Sequence, residues 1–137
     1  MKRFFLLLIL IVGLFLSACQ SQPVTGEEVA VTGGSYRNLT PQELNGMLKD
    51  KDFVLINVHI PFAGSIAGTD RSVAYHEIEQ NLSQLPAQQD AKIVLYCRSG
   101  RMSQIAAEQL VALGYTNIWN LKGGMIEWEQ QGFDLAK

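Results

Sequence analysis

Ile93-Val94-Leu95-Tyr96-Cys97-Arg98-Ser99-Gly100-Arg101-Met102-Ser103 changes structural character twice within a few residues. Ile93 to Tyr96 is an unbroken apolar run, the mark of a strand buried on both faces. From Met102 onward, apolar residues recur at helical spacing through Ile105, Ala106, Leu110 and Leu113. Between the two stand Cys97 and Gly100. The residues therefore spell strand, tight loop, helix, with a cysteine where the strand stops. That position, outside the carboxyl end of a strand, is where α/β sheets place their chemistry. Gly100 permits a tight turn, and the N–H groups of such a loop and of the following helix start converge on one anionic atom. Arg98 and Arg101 flank the thiol, and all these features favour a thiolate.

Working outward, strands and helices alternate. Tyr36 to Leu39 reads as a short edge strand. Thr40-Pro41-Gln42-Glu43 is a helix start, with Thr40 as N-cap, Pro41 in the first turn and Glu43 at the capping-box position. Leu44, Met47 and Leu48 give that helix an apolar face. Phe53 to Val58 is a second buried strand. Ser72 to Tyr75 reads as a short strand, and Glu77 to Leu85 as a helix stopped by Pro86. After the helix that begins near Met102 and closes at Gly114, Tyr115 to Leu121 is a further strand. Gly123-Gly124 makes a turn, and Met125 to Gln131 a last short helix with Trp128 facing inward. This alternation predicts an α/β fold of three layers, a mostly parallel central sheet with helices on both faces.

The first residues are set apart from that fold. Lys2-Arg3 precede an apolar segment, Phe4 to Leu16, broken only by Gly13. It is shorter than the ~20 residues a membrane-spanning helix needs, and fits the apolar region of a secretory signal. Leu16-Ser17-Ala18-Cys19 follows and resembles the lipobox of bacterial lipoproteins, in which the cysteine is lipidated and becomes the new N-terminus. The expected organisation is a signal peptide over 1–18, lipidated Cys19 with a flexible tether over 19–35, and one folded domain over 36–137. The expected location is extracytoplasmic, anchored by lipid to a bacterial membrane.

Charge and cysteine content sharpen the picture. The chain of 137 residues carries 11 Lys and Arg against 13 Asp and Glu, a net charge of −2, which gives no reason to expect a nucleic-acid partner. Loss of Lys2 and Arg3 with the signal makes the body more acidic still, so the arginines beside Cys97 form a local positive patch. Cys19 and Cys97 are the two cysteines. With Cys19 lipidated, Cys97 has no partner for an intramolecular disulfide, an unusual state for a thiol in an oxidising compartment. His59, ending a strand, reads as structural, and His76, at a helix start, as solvated.

From about Tyr36 to Leu135 the chain resembles a single rhodanese-like sulfurtransferase domain. The likeness rests on the apolar strand leading into Cys97-Arg98-Ser99-Gly100-Arg101-Met102-Ser103, on Gly114-Tyr115, and on Leu121-Lys122-Gly123-Gly124 followed by Trp128. Gly64-Ser65-Ile66-Ala67-Gly68 is similar to the family's Gly-His-Ile-Pro-Gly stretch, with Ser65 in place of histidine. The resemblance implies covalent sulfur transfer. Cys97 would take the outer sulfur of thiosulfate or a similar donor and hand it, from a persulfide, to cyanide or a thiol. Ser99, Gly100, Met102 and Ser103 would line the cradle with their N–H groups. Arg98 and Arg101 would hold the donor's sulfonate. No metal and no cofactor is implied. The chain departs from the family at Asn57-Val58-His59, where rhodaneses usually carry Asp-Val-Arg with an ion pair between acid and arginine.

Two other functions are compatible with such a loop. Phosphatases and arsenate reductases of related fold use Cys-X5-Arg, but the sixth residue after Cys97 is Ser103 and the arginines fall at one and four. A sulfur-carrying or redox-sensing module without turnover would keep Cys97 but not release sulfur to small acceptors.

Overall fold

The computed structural model describes residues 23–136. In chain order it contains β1 (Glu27–Val31), β2 (Gly34–Leu39), α1 (Pro41–Met47), β3 (Val54–Asn57), β4 (Arg71–Ser72), β5 (Ile93–Tyr96), α2 (Arg101–Ala112), β6 (Ile118–Leu121) and α3 (Gly124–Gln130). The strands form one sheet in the order β1-β2-β6-β5-β3-β4. Only the β1–β2 pair is antiparallel; the others run parallel. The expected α/β architecture is thus present.

β5 lies in the middle, and all four of its residues are buried. Its neighbours β3 and β6 run parallel to it, so the carboxyl ends of the three strands open on one edge of the sheet. One face is covered by α2 through Ala106, Ala107, Leu110 and Val111, which pack with Ile93, Leu95 and Ile56. The other is covered by Leu44 of α1 and by Met125 and Trp128 of α3, packed on Leu55, Val94 and Tyr96. Burial of each large aliphatic side chain contributes about 1.5–3 kcal/mol, so these two clusters fix the sheet between its helices. α1 starts as its sequence dictates. Glu43 N–H donates to Thr40 Oγ1 at 3.2 Å, and Glu43 Oε2 accepts from Thr40 N–H at 2.8 Å.

Several sequence expectations differ from the structure. Residues 27–34, expected within the tether, form β1 and its turn into β2. Val29 and Val31 pack against the α2-side core, and the chain reverses at Gly33, whose φ of +93 suits glycine. With β1 outside it, the Tyr36–Leu39 segment is an inner strand rather than an edge. The Glu77–Leu85 helix is replaced by two short 3₁₀ segments, Tyr75–Glu77 and Glu79–Gln84. Asn81 interrupts them at φ −116, and its side chain donates to Glu77 O at 2.8 Å, capturing a carbonyl that a helix would use. Ile78 and Leu85 are nonetheless buried, so these apolar positions face the core without an α-helix to carry them. The expected signal peptide over 1–18 and lipidated Cys19 lie outside the described residues.

Candidate active site

Cys97 follows β5 directly and is buried, with 1% of its surface exposed. Its Sγ accepts the Gly100 N–H at 3.1 Å. Gly100 adopts φ +91, which folds the loop back over the sulfur; a side chain there would also press on Gly123 N. Ser103 Oγ lies 3.4 Å from Sγ and 3.1 Å from Gly100 O. Its single proton serves one acceptor at a time, and a negative charge on sulfur draws it towards Sγ. Ser103 is fully buried beneath the thiol. Its hydroxyl, rather than its N–H alone, is therefore part of the cradle. The side chain of Met102 packs into the α2-side core, which leaves only its backbone for the site.

The loop is clamped from outside by the start of α3. Met125 N–H donates to Cys97 O at 2.9 Å and Ile126 N–H to Arg98 O at 3.0 Å. Gly124 makes this approach possible. A Cβ at Gly124 would overlap Cys97 O and stand 2.6 Å from Arg98 O. The Gly123-Gly124 pair thus does more than turn the chain; it lets a helix N-terminus seat on the carbonyls of the cysteine loop.

Arg98, Ser99 and Arg101 are exposed at the loop's outer side. Lys51, Lys92 and Lys122 are engaged with Asp70, Asp52 and Glu27. Arg98 and Arg101, by contrast, have no hydrogen-bond or ion-pair partner among the described residues. A depression of about 280 Å³ beside the loop is lined by Ser99, Gly100, Arg101 and Gln104 together with Asn120 and Lys122.

The end of β3, where the sequence departs from the family pattern, stands beside the cysteine loop. Register pairs Asn57 with Tyr96, and Val58 N–H donates to Tyr96 O at 2.8 Å. Val58 and His59 continue from that paired end of β3, as Cys97 and Arg98 do from β5, and His59 lies close enough to Arg98 to feel its charge. His59 is half-buried, and its Nδ1 is buried without a hydrogen-bond partner. Burial, and then the positive charge of Arg98, holds the imidazole below its usual pKa, which keeps the ring neutral near pH 7. The other ring nitrogen, Nε2, is not among the buried atoms left without a partner. His76 is exposed, as expected. Asn57 is buried and bridges: its Nδ2 donates to Gly64 O at 3.0 Å and its Oδ1 accepts His59 N–H at 3.0 Å. Behind it, Tyr96 Oη accepts from Ile66 N–H at 3.0 Å and lies 2.8 Å from Thr69 Oγ1. The usual acid–arginine pair is thus replaced by an amide that ties the β3 loop to itself.

The family profile of the rhodanese-like domain matches residues 40–131. The chain belongs to the rhodanese-like family. It is 31% identical over 98 residues to a sulfurtransferase of Allochromatium vinosum, which spans 69% of this chain and 90% of that protein. Among solved structures, a rhodanese-related protein of Thermoplasma volcanium superposes with a TM-score of 0.63 at 28% identity, covering 74% of this chain and 98% of the other. A Rhodopseudomonas palustris protein described as a possible tyrosine phosphatase has the same TM-score at 23% identity, covering 72% and 83%; it shares the fold.

Proposed function

We propose that this rhodanese-like chain is an extracytoplasmic, lipid-anchored sulfurtransferase that moves sulfane sulfur from thiosulfate or a similar donor through a persulfide on Cys97. The observation that carries this reading is a lone buried thiol, held by the Gly100 N–H at the carboxyl end of the central strand, with two partnerless arginines at its mouth. In the first step the Cys97 thiolate attacks the outer sulfur of the donor. A Cys97 S–S bond forms, the donor S–S bond breaks, and sulfite leaves with the electron pair. Arg98 and Arg101 attract the departing sulfonate. In the second step an acceptor, cyanide or a thiolate, attacks the outer sulfur, and Cys97 leaves as thiolate. No general base is needed, and neither histidine is assigned that role.

The lipid anchor and location are supported by Lys2-Arg3, the apolar segment to Leu16 and Leu16-Ser17-Ala18-Cys19. A phosphatase is disfavoured because the sixth residue after Cys97 is Ser103, buried under the sulfur, where phosphate-binding loops need an arginine. The deciding measurement is thiosulfate-dependent thiocyanate production by the full chain, with intact mass of the loaded protein. Wild type gains one sulfur atom on Cys97 and releases it to cyanide. Cys97→Ser gains none and falls to the uncatalysed rate. Equal rates for the two proteins would end the catalytic reading; a wild type that loads sulfur but does not yield it to cyanide would leave a carrier.

A further inference from the structure

Three large apolar side chains stand exposed among the described residues, Ile60 at 37%, Phe62 at 70% and Ile126 at 39%. All three lie at one edge of the sheet. Ile60 and Phe62 follow β3, in a loop that Asn57 ties back to Gly64. Ile126 stands in the first turn of α3, after β6, with its N–H on Arg98 O. Since β3, β5 and β6 are parallel, these residues rim the edge from which Cys97 emerges. The remaining apolar surface is spread as small or half-buried groups, so the concentration is local. Solvation of a side chain as exposed as Phe62 is unfavourable, and such rims mark interaction sites.

Arg98 and Arg101 add charge to this rim, again without acidic partners among the described residues. The rest of the chain is acidic on balance. An acidic partner is therefore repelled by the body as a whole and drawn to the paired charge of Arg98 and Arg101 at this edge. Cys97 is only 1% exposed at the centre, so only a slender group projecting from its carrier reaches the sulfur. Cyanide needs no apolar rim. A bilayer surface seated on the rim would bar polar donors from Cys97.

Resting on the sulfurtransferase reading above, we infer that Ile60, Phe62 and Ile126, with Arg98 and Arg101, form a docking rim for a protein acceptor. That acceptor presents a cysteine on an extended segment flanked by apolar and acidic residues. Its thiolate attacks the outer sulfur of the Cys97 persulfide. The new S–S bond forms on the partner, the Cys97 S–S bond breaks, and Cys97 departs as thiolate while the proton of the persulfide stays with the transferred sulfur.

The test uses the full chain in phosphatidylcholine nanodiscs, loaded with thiosulfate. Sulfur release is timed to cyanide, to a cysteine peptide flanked by leucine and glutamate, and to the same peptide with lysine for glutamate. The acidic peptide is expected to react about tenfold faster than its lysine counterpart. Phe62→Ser is expected to slow the acidic peptide by about fivefold while changing the cyanide rate less than about twofold. Phe62 is too exposed for this change to disturb the core, and Ile60→Ser repeats the test at a second rim position. Equal rates for the two peptides, or equal loss towards peptide and cyanide, would overturn the proposal. So would a Phe62→Ser protein whose only change is conversion from dimer to monomer by sedimentation, or weaker binding to lipid vesicles. If wild type transfers nothing even to cyanide, it is the sulfurtransferase reading that falls; if cyanide reacts and the peptides are not told apart, the rim alone does.

Discussion

After β5 the chain turns through Cys97 to Gly100, and its main-chain groups are taken up at once. Gly100 N–H goes to the sulfur, and the carbonyls of Cys97 and Arg98 go to the N–H groups of α3. One strand away, after β3, the loop from His59 to Gly64 is tied at both ends by one side chain, Asn57, and leaves His59 Nδ1 buried and unpaired. The first loop is shaped by backbone, the second by side chains. Backbone-made cradles tolerate few changes because glycine must stand at fixed places. A side-chain-made wall can be exchanged, and at Asn57-Val58-His59 it has been. The contrast puts the residues proposed for sulfur transfer in the backbone-shaped β5 loop, and the residues that depart from the usual family pattern in the side-chain-shaped β3 loop.

The largest expected effect breaks the backbone side. Gly124→Ala places a methyl against the carbonyls of Cys97 and Arg98 at φ +59. Overlap costs about 1–3 kcal/mol and the left-handed backbone about 1 kcal/mol more, a total of about 3 kcal/mol in urea unfolding. Because α3 must back away to relieve it, thiocyanate production is expected to fall more steeply than the folded fraction. An alanine variant with wild-type stability and rate would show that the clamp is not what orders the loop.

The next effect falls on the side-chain wall. Asn57→Asp returns the acid that rhodaneses usually carry, but here it sets a carboxylate oxygen against Gly64 O in a buried position. Losing that hydrogen bond and stranding a charge costs about 2 kcal/mol. Adding His59→Arg supplies the absent cation, and the double variant is expected to recover about 1 kcal/mol of the loss in a double-mutant cycle. Strict additivity of the two changes would mean that residues 57 and 59 do not act as a unit here.

The same contrast explains what was legible beforehand. The β5 strand, Cys97, Gly100 and the glycine pair could be read because each is a local rule: an apolar run, a turn residue, a left-handed position. The hairpin of β1 was also readable in part, since Val29 and Val31 alternate ahead of Gly33-Gly34, but its short length and charged neighbours resemble a tether. The 3₁₀ segments were not legible, because Asn81 competes for a backbone carbonyl that periodicity does not register. His59 escaped for a different reason. Its environment depends on the fold bringing Arg98 near it, and no local pattern carries that information.

The smallest expected effect concerns that histidine and pH. Burial, and then Arg98, hold His59 below the ordinary imidazole range, so the folded chain binds a proton there less readily than the unfolded chain. As pH falls past the unfolded value, about 6.5, the unfolded state takes up protons first. The stability contributed by the neutral ring is therefore complete above that value, declines as pH drops towards the folded value, and is lost below both. His59→Asn removes the titrating group while keeping a polar side chain beside Arg98. Wild type is expected to lose more Tm than this variant between about pH 7.5 and about pH 5, since every other ionisable group is common to both proteins and cancels in the difference. Equal losses would mean that Arg98 and the burial of His59 exert no force on its proton, and that the β3 wall is electrically uncoupled from the cysteine loop it faces.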